Sequence, residues 1–119
     1  MTTVLVVDDD PGMRLIASRY LNTMGCTVLE AINGAEAEHT ALAQSPELIL
    51  LDIMMPVQDG QETCTHLREK GYTGAIILTS TMQTSLGTHK AMEFGANGYV
   101  QKPITRDLLK SCLEYVGSQ

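Results

Sequence analysis

Four groups of polar residues interrupt otherwise aliphatic stretches, and their types suit chemistry: Asp8-Asp9-Asp10, Asp52, Thr79-Ser80 and Lys102-Pro103. Adjacent carboxylates repel. At about 4 Å and an effective dielectric near 20, each such pair costs on the order of 4 kcal/mol. An aliphatic segment running straight into Asp8 and Asp9 therefore implies a compensating cation. Asp10 has a simpler explanation, because it precedes Pro11 and can cap a helix whose dipole favours an acid there. Hard carboxylate oxygens select Mg²⁺, Mn²⁺ or Ca²⁺ over thiophilic metals. A protein cage that leaves positions for water and a substrate oxygen favours Mg²⁺, with Mn²⁺ as the alternative.

The elements that must position these groups are legible in the apolar pattern. Runs bounded by turn residues recur five times, at Val4 to Val7, Thr27 to Ala31, Glu47 to Leu51, Ala75 to Thr79 and Gly98 to Gln101. Most are short, aliphatic and barely alternating, which fits strands buried on both faces of a parallel sheet. Helical patterns lie between them. The first opens at Asp10-Pro11, carries Met13, Ile16, Tyr20 and Met24 at spacings that predict one buried face, and stops at Gly25. Asn33 can cap a second (Gly34 to Ala43) and Asp59 a third (Gly60 to Lys70, stopped by Gly71). A fourth spans about Thr84 to Phe94, stopped by Gly95, and Thr105 can cap a fifth with Leu108, Leu109, Cys112 and Val116 inside. Strand–helix alternation repeated five times predicts an α/β fold, a doubly wound sheet with helices on both faces. Ligands bind such sheets beyond the carboxyl ends of the strands. Polar residues crown four of the five.

Composition bounds the rest. The 119 residues suit one domain, 1–119, with room for a single core. Eight basic and 14 acidic residues give a net charge of -6, without the basic footprint that nucleic acid requires. Cys26, Cys64 and Cys112 are widely spaced and form no metal-ligand cluster, as expected of a reducing cytosol. No leader-like start and no apolar run of membrane length is present, so a cytoplasmic protein without membrane insertion is expected.

Val6-Val7-Asp8-Asp9-Asp10, Leu50-Leu51-Asp52-Ile53-Met54-Met55-Pro56 with Asp59-Gly60, Ser80, and Gly95-Ala96-Asn97-Gly98-Tyr99-Val100-Gln101-Lys102-Pro103 carry a resemblance. The sequence resembles the CheY-like receiver domain of two-component response regulators over nearly its whole length. That resemblance implies a flavodoxin-like three-layer sandwich with strand order 2-1-3-4-5 and five helices. It makes Asp52 the phospho-acceptor, taking a phosphoryl group from a sensor histidine kinase, a histidine phosphotransfer protein or a small donor such as acetyl phosphate. Asp9 and Asp52 would ligate Mg²⁺ directly, the Met54 backbone carbonyl would complete the protein ligands, and Asp8 would act through a water.

In the same resemblance Lys102 meets the phosphoryl oxygens and precedes a cis peptide at Pro103. Ser80, 28 residues after Asp52 and 22 before Lys102, is the hydroxyl at the common family separations. Strand alternation then points Thr79 elsewhere. Tyr99 would be the aromatic that moves inward with Ser80, and Thr81 stands where many relatives carry a smaller residue. The expected product is a phosphorylation-controlled interaction module with a downstream protein target, as a monomer or a phosphorylation-dependent dimer. Its only catalysis would be its own phosphorylation and dephosphorylation. Asp8-x-Asp10 also superficially matches a haloacid dehalogenase-type phosphatase with Asp8 as nucleophile, but Gly12 does not fit that motif.

Three dispersed histidines, His39, His66 and His89, read as surface residues. Leu15 lies off the apolar face of the first helix, beside the acidic pocket, where an exposed leucine suits docking of a partner helix.

Overall fold

Four predicted caps start four helices in a computed structural model, which describes residues 2–55, 58–81 and 91–118. Asp10 accepts from the Gly12 N–H at 2.8 Å, Asn33 from Glu36 at 2.8 Å, Asp59 from Glu62 at 2.8 Å and Thr105 from Leu108 at 3.1 Å. Each satisfies one of the donors that a helix start leaves unpaired. The elements run β1 (Thr3–Val7), α1 (Pro11–Thr23), β2 (Thr27–Ala31), α2 (Gly34–Gln44), β3 (Leu48–Asp52), α3 (Gly60–Glu69), β4 (Ala75–Ser80), β5 (Gly98–Gln101) and a C-terminal helix (Arg106–Gly117). Gly71 follows α3 at φ 92, a left-handed conformation that costs glycine nothing. The helix expected from about Thr84 to Phe94 falls mostly outside the described residues, as do Pro56, Met82 and His89; Ala91 to Glu93 are helical.

All strand pairs are parallel and the order is β2-β1-β3-β4-β5. The fold is therefore the doubly wound α/β sandwich expected. Val4, Val6, Leu48, Leu50 and Ile77 pack on one face with Ala17 and Leu21 of α1 and Leu109 and Cys112 of the C-terminal helix. Leu5, Val7, Ile49, Leu51, Ile76 and Leu78 pack on the other, with Ala37 and Ala41 of α2 and Cys64 and Leu67 of α3. Consecutive strand residues thus feed two separate cores, which is why these strands read as continuous aliphatic runs.

One helix face differs from the sequence reading. The buried residues of α1 are Ala17, Ser18 and Leu21, whereas Ile16 is 44% exposed beside Leu15 at 50%. Met13 and Tyr20 still pack against the core, but small Ala17 takes the inward position between them, letting α1 lie close to the sheet. Leu21→Ala should cost about 3 kcal/mol of stability by leaving a cavity. Ile16→Ala should cost under about 1 kcal/mol. Urea denaturation of the two variants checks the assignment, and an equal loss would refute it.

Candidate functional site

The sheet alternation brings the polar strand ends together. Asp8 continues the Val4/Val6 row, Asp52 the Leu48/Leu50 row and Thr79 the Ala75/Ile77 row, all on the α1 side. Lys102 follows two residues after Val100, which packs on that side as well. Asp8, Asp52 and Lys102 are all buried, at 4%, 4% and 8% exposure, while Asp9 is exposed.

Lys102 Nζ lies 2.5 Å from Asp8 Oδ2 and 3.4 Å from Asp52 Oδ2. The other oxygens are held by backbone. Asp8 Oδ1 accepts from the Asp10 N–H at 2.9 Å, and Asp52 Oδ1 from the Met54 N–H at 3.1 Å. Carboxylate oxygens of Asp8, Asp9 and Asp52 all lie within 4.8 Å of one another. Two buried carboxylates thus share one ammonium, with the exposed Asp9 carboxylate beside them. Hard oxygens at this spacing, with Asp9 on the open side, fit a divalent cation of the Mg²⁺ type.

The charge imbalance is felt at Asp52. Burial, and then the neighbouring Asp8 charge, push its carboxyl up to about 6, against the opposing pull of Lys102 and the Met54 N–H. Burial works against the Lys102 charge too. Its bond to Asp8 and the charges of Asp52 and Asp8 outweigh that, and hold the ammonium above the usual lysine value.

Residues 4–114 match the family model described as the response regulator receiver domain. The chain belongs to that family. Among curated relatives, the transcriptional regulatory protein RstA of Escherichia coli K12 is 35% identical over 102 residues, covering 86% of this chain and 42% of RstA. ResD of Bacillus subtilis is 38% identical over 104 residues, covering 87% and 43%. The chain thus spans less than half the length of these two regulators. The BeF₃-activated N-terminal receiver domain of Klebsiella pneumoniae RstA superposes with a TM-score of 0.89 at 29% identity, covering 99% of this chain and 100% of that one. The chemotaxis protein CheY4 of Vibrio cholerae gives 0.89 at 29% identity, with 98% of each chain covered. Membership of the receiver family goes against the dehalogenase-type alternative.

Within this receiver fold the structure brings together Asp8, Asp9, Asp52 and Lys102. Met54 exposes its side chain, and its N–H is the donor to Asp52 Oδ1. The Lys102–Pro103 peptide is cis. Ser80 is 1% exposed at the end of β4, where its carbonyl accepts from the Lys102 N–H at 2.7 Å. It continues the Ile76/Leu78 row on the opposite face, and half-buried Tyr99 packs against that core. Thr79 does not point away from the site: it pairs in register with Asp52 and lines a small cavity with Asp8 and Lys102. Thr81 is exposed.

Other contacts had no signal in the sequence. Arg14 donates from Nη1 to the Asp8 carbonyl at 2.8 Å and from Nε to Glu30 Oε1 at 3.2 Å, fixing the end of β1. His39 is exposed as expected, and His66 also lies at the surface with its side chain 42% exposed, while its Nδ1 sits 3.1 Å from the buried Glu38 carboxylate. Among the described residues no helix is long and apolar enough to cross a membrane.

Asp52 sets a pH dependence whose sign follows from the raised value. A folded-state pKa of about 6 against 3.8 means the native state binds the proton more tightly than the unfolded chain. In Mg²⁺-free buffer the native state therefore loses stability from this group as pH rises through that window, by up to roughly 3 kcal/mol. Asp52→Asn should raise the melting temperature without metal, more at pH 7 than at pH 4.5. A melting temperature at or below wild type at both pH values would contradict the cost of the buried Asp52 charge.

Proposed function

We propose that residues 1–119 act as one receiver domain whose phospho-acceptor is Asp52. The observation that carries this reading is the convergence of Asp8, Asp9 and Lys102 on one buried carboxylate at the end of β3, within the receiver fold. A carboxylate oxygen of Asp52 forms a bond to phosphorus as the donor bond breaks. That bond is P–N in a phosphohistidine and P–O in acetyl phosphate, and its electron pair leaves with the imidazole or the acetate. Such transfers need mainly alignment and neutralisation of charge on the moving group.

Asp9 and Asp52 would hold Mg²⁺ directly, together with the Met54 carbonyl. Asp8, bonded to Lys102 and to the Asp10 N–H, would act through a water. When bound, the ion supplies positive charge opposite the phosphoryl oxygens. Lys102 supplies the protein's share. Ser80 is the proposed hydroxyl partner of the phosphoryl group and Tyr99 the side chain that responds. The position of Thr79 beside Asp52 favours testing it as a second candidate.

The implied donors are a sensor histidine kinase or a histidine phosphotransfer protein in the cytoplasm. The output is an altered protein-binding surface for a downstream target, through a monomer or a phosphorylation-dependent dimer. Catalysis does not extend beyond the domain's own phosphorylation and dephosphorylation.

Incubation with acetyl phosphate and Mg²⁺, followed by mapping of the modified residue, should place the phosphoryl group on Asp52, and Asp52→Asn should abolish it. Ser80→Ala should slow the reaction more than Thr79→Ala does, and the reverse order would move the hydroxyl role to Thr79. Modification of Asp8 or Asp10 in the wild type would sink the reading. Millimolar Mg²⁺ should raise the wild-type melting temperature by binding the native state. Asp9→Ala should lose most of that shift; an undiminished shift would remove Asp9 from the metal site.

A further inference from the structure

Glu38 is a charged residue of α2 at 6% exposure, away from the acidic pocket. Burying a carboxylate is costly unless donors replace its water. Three do. Lys70 Nζ lies at 2.6 Å, Gln58 Nε2 at 2.5 Å and His66 Nδ1 at 3.1 Å. Burial raises the Glu38 pKa, but these three donors outweigh it and hold the carboxyl below its usual value, so it stays charged. Tying α2 to α3 would need only His66 and Lys70. Gln58 precedes α3, on the segment that leads from Asp52.

From Gln58 the contacts run to the candidate phospho-acceptor. Gln58 Nε2 also donates to Thr63 Oγ1 at 2.9 Å, and that hydroxyl donates to the Asp59 carbonyl at 2.8 Å. The next residue, Gly60, donates its N–H to the Ile53 carbonyl at 3.0 Å and leaves no room for a Cβ against the Asp52 carbonyl oxygen. The start of α3 is thus pressed onto the Asp52–Ile53 peptide. That peptide leads into Met54, whose N–H holds Asp52 Oδ1.

We propose that Glu38 and Gln58 are positioning residues for the phosphoryl transfer, holding the N-terminus of α3 against the Asp52–Ile53 peptide so that the Asp52 carboxylate and the Met54 carbonyl keep their alignment. The proposal rests on the receiver reading above. A misplacement of about 1 Å at a reacting group can cost up to roughly a hundredfold in rate. The partial loosening expected here corresponds to about a tenfold loss.

The test measures the rate of Asp52 phosphorylation by acetyl phosphate at saturating Mg²⁺. Glu38→Ala and Gln58→Ala should each slow it about tenfold, and the double variant should be no slower than either single one, because both break one connection. Glu38→Gln should retain a rate near wild type, since its amide oxygen still accepts from Gln58. Lys70→Ala, which removes a Glu38 donor but leaves the Gln58 bond, should stay within about twofold of wild type. Thermal melts identify variants that fail to fold. Should Glu38→Ala be one of them, Gln58→Ala decides alone, because it leaves Glu38 with two donors. A folded Gln58→Ala with the wild-type rate, or multiplying losses in the double variant, overturns the proposal. Wild type left unmodified at Asp52 would overturn the receiver reading as well, whereas modified wild type with unaffected variants overturns the positioning role alone.

Discussion

A lysine ammonium buried against two carboxylates holds the upper edge of this sheet together. Lys102 reaches from the end of β5 past β4 to Asp52 at the end of β3 and Asp8 at the end of β1, two strands that do not neighbour β5 in the sheet. One cation cannot balance two buried carboxylates. The remaining imbalance appears at Asp52, whose carboxyl is pushed up to about 6 by burial and by Asp8. A site in this state gains from added positive charge, which is the electrostatic basis of the metal-assisted chemistry proposed above.

The sheet register is what permits the arrangement. Because every pair is parallel, all strand ends of one polarity lie on one edge. Because β1 and β3 are paired with Val4 opposite Leu48 and Val6 opposite Leu50, Asp8 and Asp52 emerge on the same face. Shifting either strand by one residue would turn its acid to the other core. The two aliphatic layers therefore fix the chemistry through register, besides supplying the hydrophobic stabilisation.

Much of this was legible in the sequence, for physical reasons that are mostly local. Caps and stops depend on a few neighbouring residues, so Asp10, Asn33, Asp59 and Thr105 could be read directly. Buried strands show as aliphatic runs whatever they pair with. Tertiary choices were harder. The inward position on α1 went to Ala17 and not to Ile16, because the distance from helix to sheet decided, and periodicity does not encode that distance. Thr79 was expected to face away on the family separations, yet strand alternation counted from Asp52's own partner places it beside the acid. Glu38 gave no signal, since its partners come from positions 58, 66 and 70 and meet only when α2 and α3 pack.

The unequal reach of Lys102 carries the last step. Its ammonium is hydrogen-bonded to Asp8 and lies farther from Asp52, at 3.4 Å. Under the proposed chemistry, phosphorylation replaces one buried carboxylate charge with up to about two charges and three acceptor oxygens. The ammonium is then drawn toward Asp52 and away from Asp8. Its backbone cannot follow alone, because the Lys102 N–H is bonded to the Ser80 carbonyl, tying β5 to the end of β4. A change in charge at one carboxylate thereby becomes a change in load on two strand ends. Those strands carry Ser80 and Tyr99, the two groups proposed above to respond to the phosphoryl group.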